Sequence, residues 1–136
     1  MSAPARLARP AAAAAPPAAR RLVAGVGCSL GCPPAELLAL IRDSLPAGEL
    51  VALATIDRRA EEPAMLEAAR ALGVPLLTHA PERLAAVPVP TPSAAVERHV
   101  GTPSVAEAAA LLSGTHLIVH KRRSAHATCA VSKCLE

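Results

Sequence analysis

The sequence predicts an α/β domain: a three-layer α/β/α sandwich around a mostly parallel or mixed sheet of about five strands. Two observations carry this. Short apolar runs alternate with longer segments of helical periodicity from Leu22 to Val131, the pattern of strand–helix units. The chain has 136 residues and 52% hydrophobic content, enough to bury one sizeable core. That core has no Phe, Tyr or Trp, so Leu, Val, Ile and Ala must build it.

The elements follow in order. Residues 1–20 are rich in Ala, Pro and Arg, and Pro4, Pro10, Pro16 and Pro17 interrupt any helix, so this tail reads as disordered. Residues 21–136 form the domain. Leu22–Val26 reads as a buried strand. Pro33–Leu45 reads as a helix with prolines in its first turn and an apolar stripe of Leu37, Leu38, Ile41 and Leu45. Leu50–Ile56 is a second strand. Glu62–Leu72 is a helix with Gly73 as its stop. Val74–Thr78 is a third strand, and Pro81–Val87 a short helix. A proline-rich connection, Pro88–Pro92, leads to a short helix from Ser93 to His99. Ser104–Leu112 is a helix, and Thr115–Val119 and Thr128–Val131 are the last strands.

The net charge is +3. Four of the fourteen cations, Arg6, Arg9, Arg20 and Arg21, precede the first apolar run. The remainder has ten cations against eleven acidic residues, a net charge of −1. A global basic footprint for nucleic acid is therefore missing, and no aromatic ring is present for base stacking. No apolar run reaches the length of a membrane span. The first twenty residues do not have the pattern of a secretory signal, so a cytoplasmic setting with reduced thiols is expected.

Ligands of α/β sheets gather beyond the strand carboxyl ends. Gly25-Val26-Gly27-Cys28, Thr55-Ile56-Asp57-Arg58-Arg59 and Lys121-Arg122-Arg123 are expected there. Gly25-x-Gly27 lacks the third glycine of a dinucleotide fingerprint, since Leu30 stands in its place. A tight turn or a close backbone approach by another ligand accounts for it. Lys121-Arg122-Arg123 reads either as a carboxylate or phosphate site or as a solvated loop. In Gly101-Thr102-Pro103-Ser104-Val105-Ala106-Glu107, Ser104 and Glu107 have capping-box spacing, and a helix start favours an anion.

The remaining chemistry-bearing residues have plain readings. Cys28 and Cys32 are four apart, and Cys129 and Cys134 five apart. Neither spacing is that of a zinc knuckle, even with His120 and His126 nearby, so the thiols read as small buried hydrophobes. No metal or cofactor is assigned. Cys28 as a nucleophile and Asp57 as an acid–base group are the weak catalytic candidates. Glu61 and Glu62 read as loop solvation at a helix start, and His79 and His99 as surface positions.

Four segments together resemble one family. They are Gly25-Val26-Gly27-Cys28, Ala54-Thr55-Ile56-Asp57 with Glu62-Pro63, Val100 through Ala110, and Lys121-Arg122-Arg123 with Ala127-Thr128-Cys129-Ala130-Val131. Their order and spacing are similar to the CobE and CbiG C-terminal domain family of cobalamin biosynthesis, over about Leu22 to Ser132. The resemblance implies an α/β domain that binds a precorrin or corrinoid intermediate, a ring rimmed with carboxylates, as accessory or carrier. It implies as alternatives a hydrolase opening a lactone or acyl group of a cobalt-precorrin, and an interaction subunit for another pathway enzyme. The expected ligand-binding residues are Gly25, Gly27, Cys28, Thr55, Asp57, Gly101, Thr102, Ser104, Lys121 and Arg122. Two segments differ from the family's usual pattern. Ser29-Leu30 replaces basic residues, and Ser124-Ala125-His126 replaces an aromatic residue and glycine.

Overall fold

The computed structural model describes residues 20–90 and 105–134. Five strands form one mixed sheet. In chain order they are β1 (Arg21–Cys28), β2 (Glu49–Ile56), β3 (Leu76–His79), β4 (His116–Arg123) and β5 (Ala127–Lys133), and their spatial order is β3-β2-β1-β5-β4. β1 pairs in parallel with β2, and β2 with β3. β5 pairs antiparallel with both β1 and β4. β4 therefore runs in the same sense as β1, β2 and β3, and the carboxyl ends of these four strands lie at one end of the sheet.

The helices α1 (Pro34–Ser44), α2 (Pro63–Leu72), α3 (Pro81–Ala85) and α4 (Val105–Ser113) fall into two layers. Along β1, Leu22, Ala24 and Val26 point to α1 and α2, where they meet Leu37, Ile41, Met65 and Ala68. Val23 points the other way and joins Ala52, Ala54, Ile56, Leu84, Ala108 and Ala109 under α3 and α4. This period-two alternation buries both sheet faces, so the three-layer sandwich holds.

Local chemistry explains the helix ends. Pro34 opens α1, where a missing N–H costs nothing. Gly73 ends α2 with φ 69°. The N–H of Val74 then reaches the carbonyl of Ala69 at 3.1 Å, a Schellman-type closure. That closure takes Val74 out of β3, which starts at Leu76. On α1 the buried stripe is Leu37, Leu40, Ile41 and Ser44, with Leu38 half-buried. Leu37 and Ile41 thus keep their expected places, while Leu40 and Ser44 take the places of Leu38 and Leu45.

The small-residue composition has its clearest effect at α4. Ala106, Ala108, Ala109 and Ala110 are fully buried, and the helix backbone lies directly on Gly25. A Cβ at Gly25 would stand 2.0 Å from the Ala106 carbonyl oxygen and 2.5 Å from the Ala110 nitrogen. The buried Ser132 hydroxyl, from β5, donates to the Ala110 carbonyl at 2.7 Å.

The largest departure from expectation is β4. The strand continues through Arg123, so Lys121, Arg122 and Arg123 belong to it and not to a loop after it. An edge strand has one open side, which tolerates charged residues. The short hairpin closes where the Ser124 N–H donates to the Ala127 carbonyl at 2.9 Å. Residues 1–19 of the tail, the Ser93–His99 helix, and Gly101, Thr102 and Ser104 lie outside the described residues. Arg20, given to the tail by the sequence, is instead held at the start of β1, its carbonyl accepting the Glu49 N–H at 2.7 Å.

Candidate ligand site at the carboxyl end of the sheet

Cross-strand register places several expected residues at one end. Gly27 pairs with Thr128 on β5, and Thr128 pairs with Arg123 on β4. On the other side of β1, Ile56 pairs with His79, and Asp57 follows directly. Gly27, Asp57 and the end of β4 thus share one rim. A Cβ at Gly27 would lie 2.8 Å from the Thr128 hydroxyl and 3.7 Å from Val105 Cβ. The start of α4 therefore stands over this glycine.

The basic run does not act as one cluster. Strand alternation sends Arg122 to the α1 side, where its guanidinium donates to the Asp43 carbonyl at 2.9 Å. Lys121 keeps company with Arg123 and Glu107 of α4. Burial and the neighbouring Arg123 charge lower the Lys121 pKa, and Glu107 opposes them. The β4–β5 register shifts between Val119 and Arg122. Such a bulge takes a peptide group off the ladder. The Lys121 N–H is met by Glu107 Oε2 at 2.8 Å. Lys121 and Arg123 are the rim cations of β4, and Arg122 belongs to the α1 contact instead.

Other expected ligand-binding residues have structural duties. Gly25 has no open face, because α4 occupies it; it serves helix–sheet packing and not the approach of a ligand. Thr55 is fully buried, and its hydroxyl donates to the Val26 carbonyl at 2.7 Å, joining β2 to β1. Asp57 is exposed and opens a single 3-10 turn, Asp57–Arg59, its carbonyl accepting the Ala60 N–H at 3.0 Å. Arg58 is exposed in the same turn. Arg59 Nε donates to the Cys28 carbonyl at 2.8 Å, which fixes its guanidinium at the rim.

Cys28 is half-buried, with its thiol in hydrogen-bond contact with that of Cys32. Burial, then the charges at Cys32 and Glu62, push its pKa up to about 12 against the pull of Arg59. The thiol is protonated at neutral pH, which is the wrong state for a nucleophile. His79 and His126 are engaged elsewhere. His79 Nε2 is 2.8 Å from the Ser113 hydroxyl, so this residue is partly buried and not simply a surface position. Cys129 is buried on the α1 side of β5, where burial likewise raises its pKa to about 12. Cys134 bonds the Arg21 carbonyl through its N–H, at the opposite end of the sheet. Among the described residues no group of three or more His, Cys, Asp or Glu side chains is arranged to hold a metal ion.

Sequence reasoning missed an interlock of the rim loops. Glu36, in the first turn of α1, accepts from the Ser124 hydroxyl. It also accepts the His126 N–H at 2.6 Å and faces His126 Nδ1 at 2.8 Å. These bonds, the Ser124 one foremost, lower the Glu36 pKa to about 2. The Ser29 N–H and hydroxyl both reach the His126 carbonyl, at 2.9 and 3.1 Å. Glu62, nearly buried and not a solvated loop residue, accepts the Gly31 N–H at 3.0 Å. The signal was in the two departures from the family pattern. Ser29, Ser124 and His126 bond to one another's loops or to Glu36.

The model of the family described as cobalamin synthesis G C-terminus matches residues 22–132. The chain belongs to this family, and it is a protein of cobalamin biosynthesis. It is 39% identical over 121 residues to protein CobE of Sinorhizobium sp, covering 82% of this chain and 79% of that protein. It is 30% identical over 118 residues to the cobalt-precorrin-5A hydrolase of Priestia megaterium, but spans only 32% of that longer protein. Among solved structures, it is similar to CobE, described as a protein from the cobalamin (vitamin B12) biosynthetic pathway. The TM-score is 0.77 at 36% identity, covering 85% of this chain and 92% of that one. The cobalamin biosynthesis protein ChiG of Agrobacterium tumefaciens gives a TM-score of 0.60 at 31% identity, covering 85% and 99%. No helix among the described residues is long and apolar enough to cross a membrane.

Proposed function

We propose that this CobE/CbiG-type domain binds a precorrin or corrinoid intermediate as an accessory or carrier protein in the cytoplasm. The observation that carries the reading is the rim itself. Lys121 and Arg123 of β4 stand on the α4 side, Arg58 and Arg59 follow β2, and the side-chain-free Gly27 lies between them. Ring carboxylates suit such spaced cations, because charge-assisted bonds are the strong ones. Gly101, Thr102 and Ser104 immediately precede α4, whose start stands over Gly27, and they complete the proposed contact set.

A second reading is hydrolysis, with a lactone of a cobalt-precorrin as substrate. Similarity to the Priestia megaterium hydrolase supports it. The protonated Cys28 thiol disfavours that residue as nucleophile, and Asp57 stays the acid–base candidate. Docking to a pathway enzyme is compatible with either reading. The test is absorbance-monitored titration of a panel of precorrin acids, followed by product analysis. Binding without turnover supports the carrier. Turnover abolished by Asp57→Ala with binding retained would establish the hydrolase.

A further inference from the structure

The Cys28–Cys32 pair has no part in the function proposed above. Cys28 closes β1, and Cys32 lies beyond the turn that follows. The Cys32 N–H bonds the Ser29 carbonyl at 3.2 Å, and Gly31 within the turn has φ 76°. The turn folds the chain back so that Cys28 packs against the buried cluster that contains Cys32, with the two thiols in hydrogen-bond reach of each other. Cys28 is open to solvent on one side, while Cys32 is only 3% exposed. All four cysteines are unbridged. A Cβ at Gly31 would meet nothing within 4 Å, so the outer face of the turn is open.

We propose that Cys28 and Cys32 are a reversible thiol–disulfide modification site, oxidised by a low-molecular-weight disulfide. Cys28 is reached first. Its thiol loses a proton to solvent, and the thiolate attacks one sulfur of the small disulfide. A mixed disulfide forms and one small thiol leaves. Cys32, already in contact, gives up its proton and attacks the Cys28 sulfur, releasing the second small thiol. Two protein S–H groups become one S–S bond, and one small disulfide is reduced to two thiols.

The groups facing the pair set its pace. Burial and the carboxylates of Glu36 and Glu62 oppose the thiolate, and Arg59 favours it at Cys28. Oxidation is therefore slow at neutral pH and accelerates as pH rises. The bond also reaches the rim. The Cys28 carbonyl holds Arg59 Nε, and the Gly31 N–H holds Glu62. Closing the bridge shifts both anchors, a consequence for ligand binding that rests on the function proposed above.

The experiment treats the full reduced chain with excess glutathione disulfide, blocks free thiols, and maps peptides by mass spectrometry. The expected product is 2 Da lighter than the reduced chain, with Cys28 joined to Cys32, and dithiothreitol reverses it. Cys32→Ser should stop at a glutathione adduct on Cys28. A lasting adduct on wild-type Cys28, a bridge to Cys129 or Cys134, or no reaction at pH 9 would each overturn the proposal. Corrin-acid titration of the oxidised and reduced forms then separates the two ideas. Failure of the reduced form to bind contradicts the carrier reading and leaves the mapped bridge standing.

Discussion

The buried carboxylate of Glu107, on α4, accepts the main-chain N–H of Lys121 at 2.8 Å and ties the helix to the edge strand that carries the rim cations. A bulge in β4 would otherwise leave that N–H off the ladder. Glu107→Ala should destabilise the fold by about 1–3 kcal/mol, the range for stranding a buried polar group. Glu107→Gln keeps an acceptor and should cost less. Urea unfolding of the two variants measures the difference. Equal stability of Glu107→Ala and the parent would dissolve this account of the bulge.

The two glycines of β1 should respond unequally. Gly25→Ala drives a methyl group into the α4 backbone and should cost about 1–3 kcal/mol or more, as overpacking does. Gly27→Ala meets chiefly the Thr128 hydroxyl, a side-chain atom that can rotate away. Its thermal midpoint should fall less than that of Gly25→Ala, while ligand affinity should suffer more. The reverse order in melting would place the close helix contact at the wrong glycine.

Acid stability should depend on Glu36. Its pKa falls from an ordinary 4.5 to about 2 on folding. The contribution is fully present above pH 4.5 and is lost as pH falls toward 2. Glu36→Gln should therefore be less stable than the parent at pH 7, with the gap closing between pH 4.5 and 2. Denaturant titrations at pH 7, 4 and 2.5 report the gap, and a gap independent of pH would show that the carboxylate charge is irrelevant.

Much of this fold was legible because buried strands and amphipathic helices carry periodic apolar patterns. The Gly73 stop, the α/β alternation and the gathering of strand ends all followed from local signals. The misreadings had local causes too. β4 appeared to end at Val119 because charged residues look like loop, yet pairing with β5 carries the strand through Arg123. Arg122 reads as one of a trio from sequence, and only the continuation of β4 to Arg123 turns it to the opposite face from Lys121 and Arg123. Thr55 and Gly25 looked available at a strand end, but their partners, Val26 and α4, come from other parts of the chain. Glu36 and His126 are ninety positions apart, and no local pattern joins them.

In the proposed complex, ring carboxylates meet Lys121 and Arg123, and Arg122 lies outside the site. The decisive measurement is titration of a precorrin polycarboxylic acid into the parent, into Lys121→Ala with Arg123→Ala, and into Arg122→Ala, at low and high salt. The paired variant should lose about 1–3 kcal/mol of binding, with a weaker salt dependence because fewer charge contacts remain to be screened. Arg122→Ala should bind like the parent. Unchanged affinity in the paired variant, or a larger loss in Arg122→Ala, would contradict a carboxylate site on the α4 side of the rim.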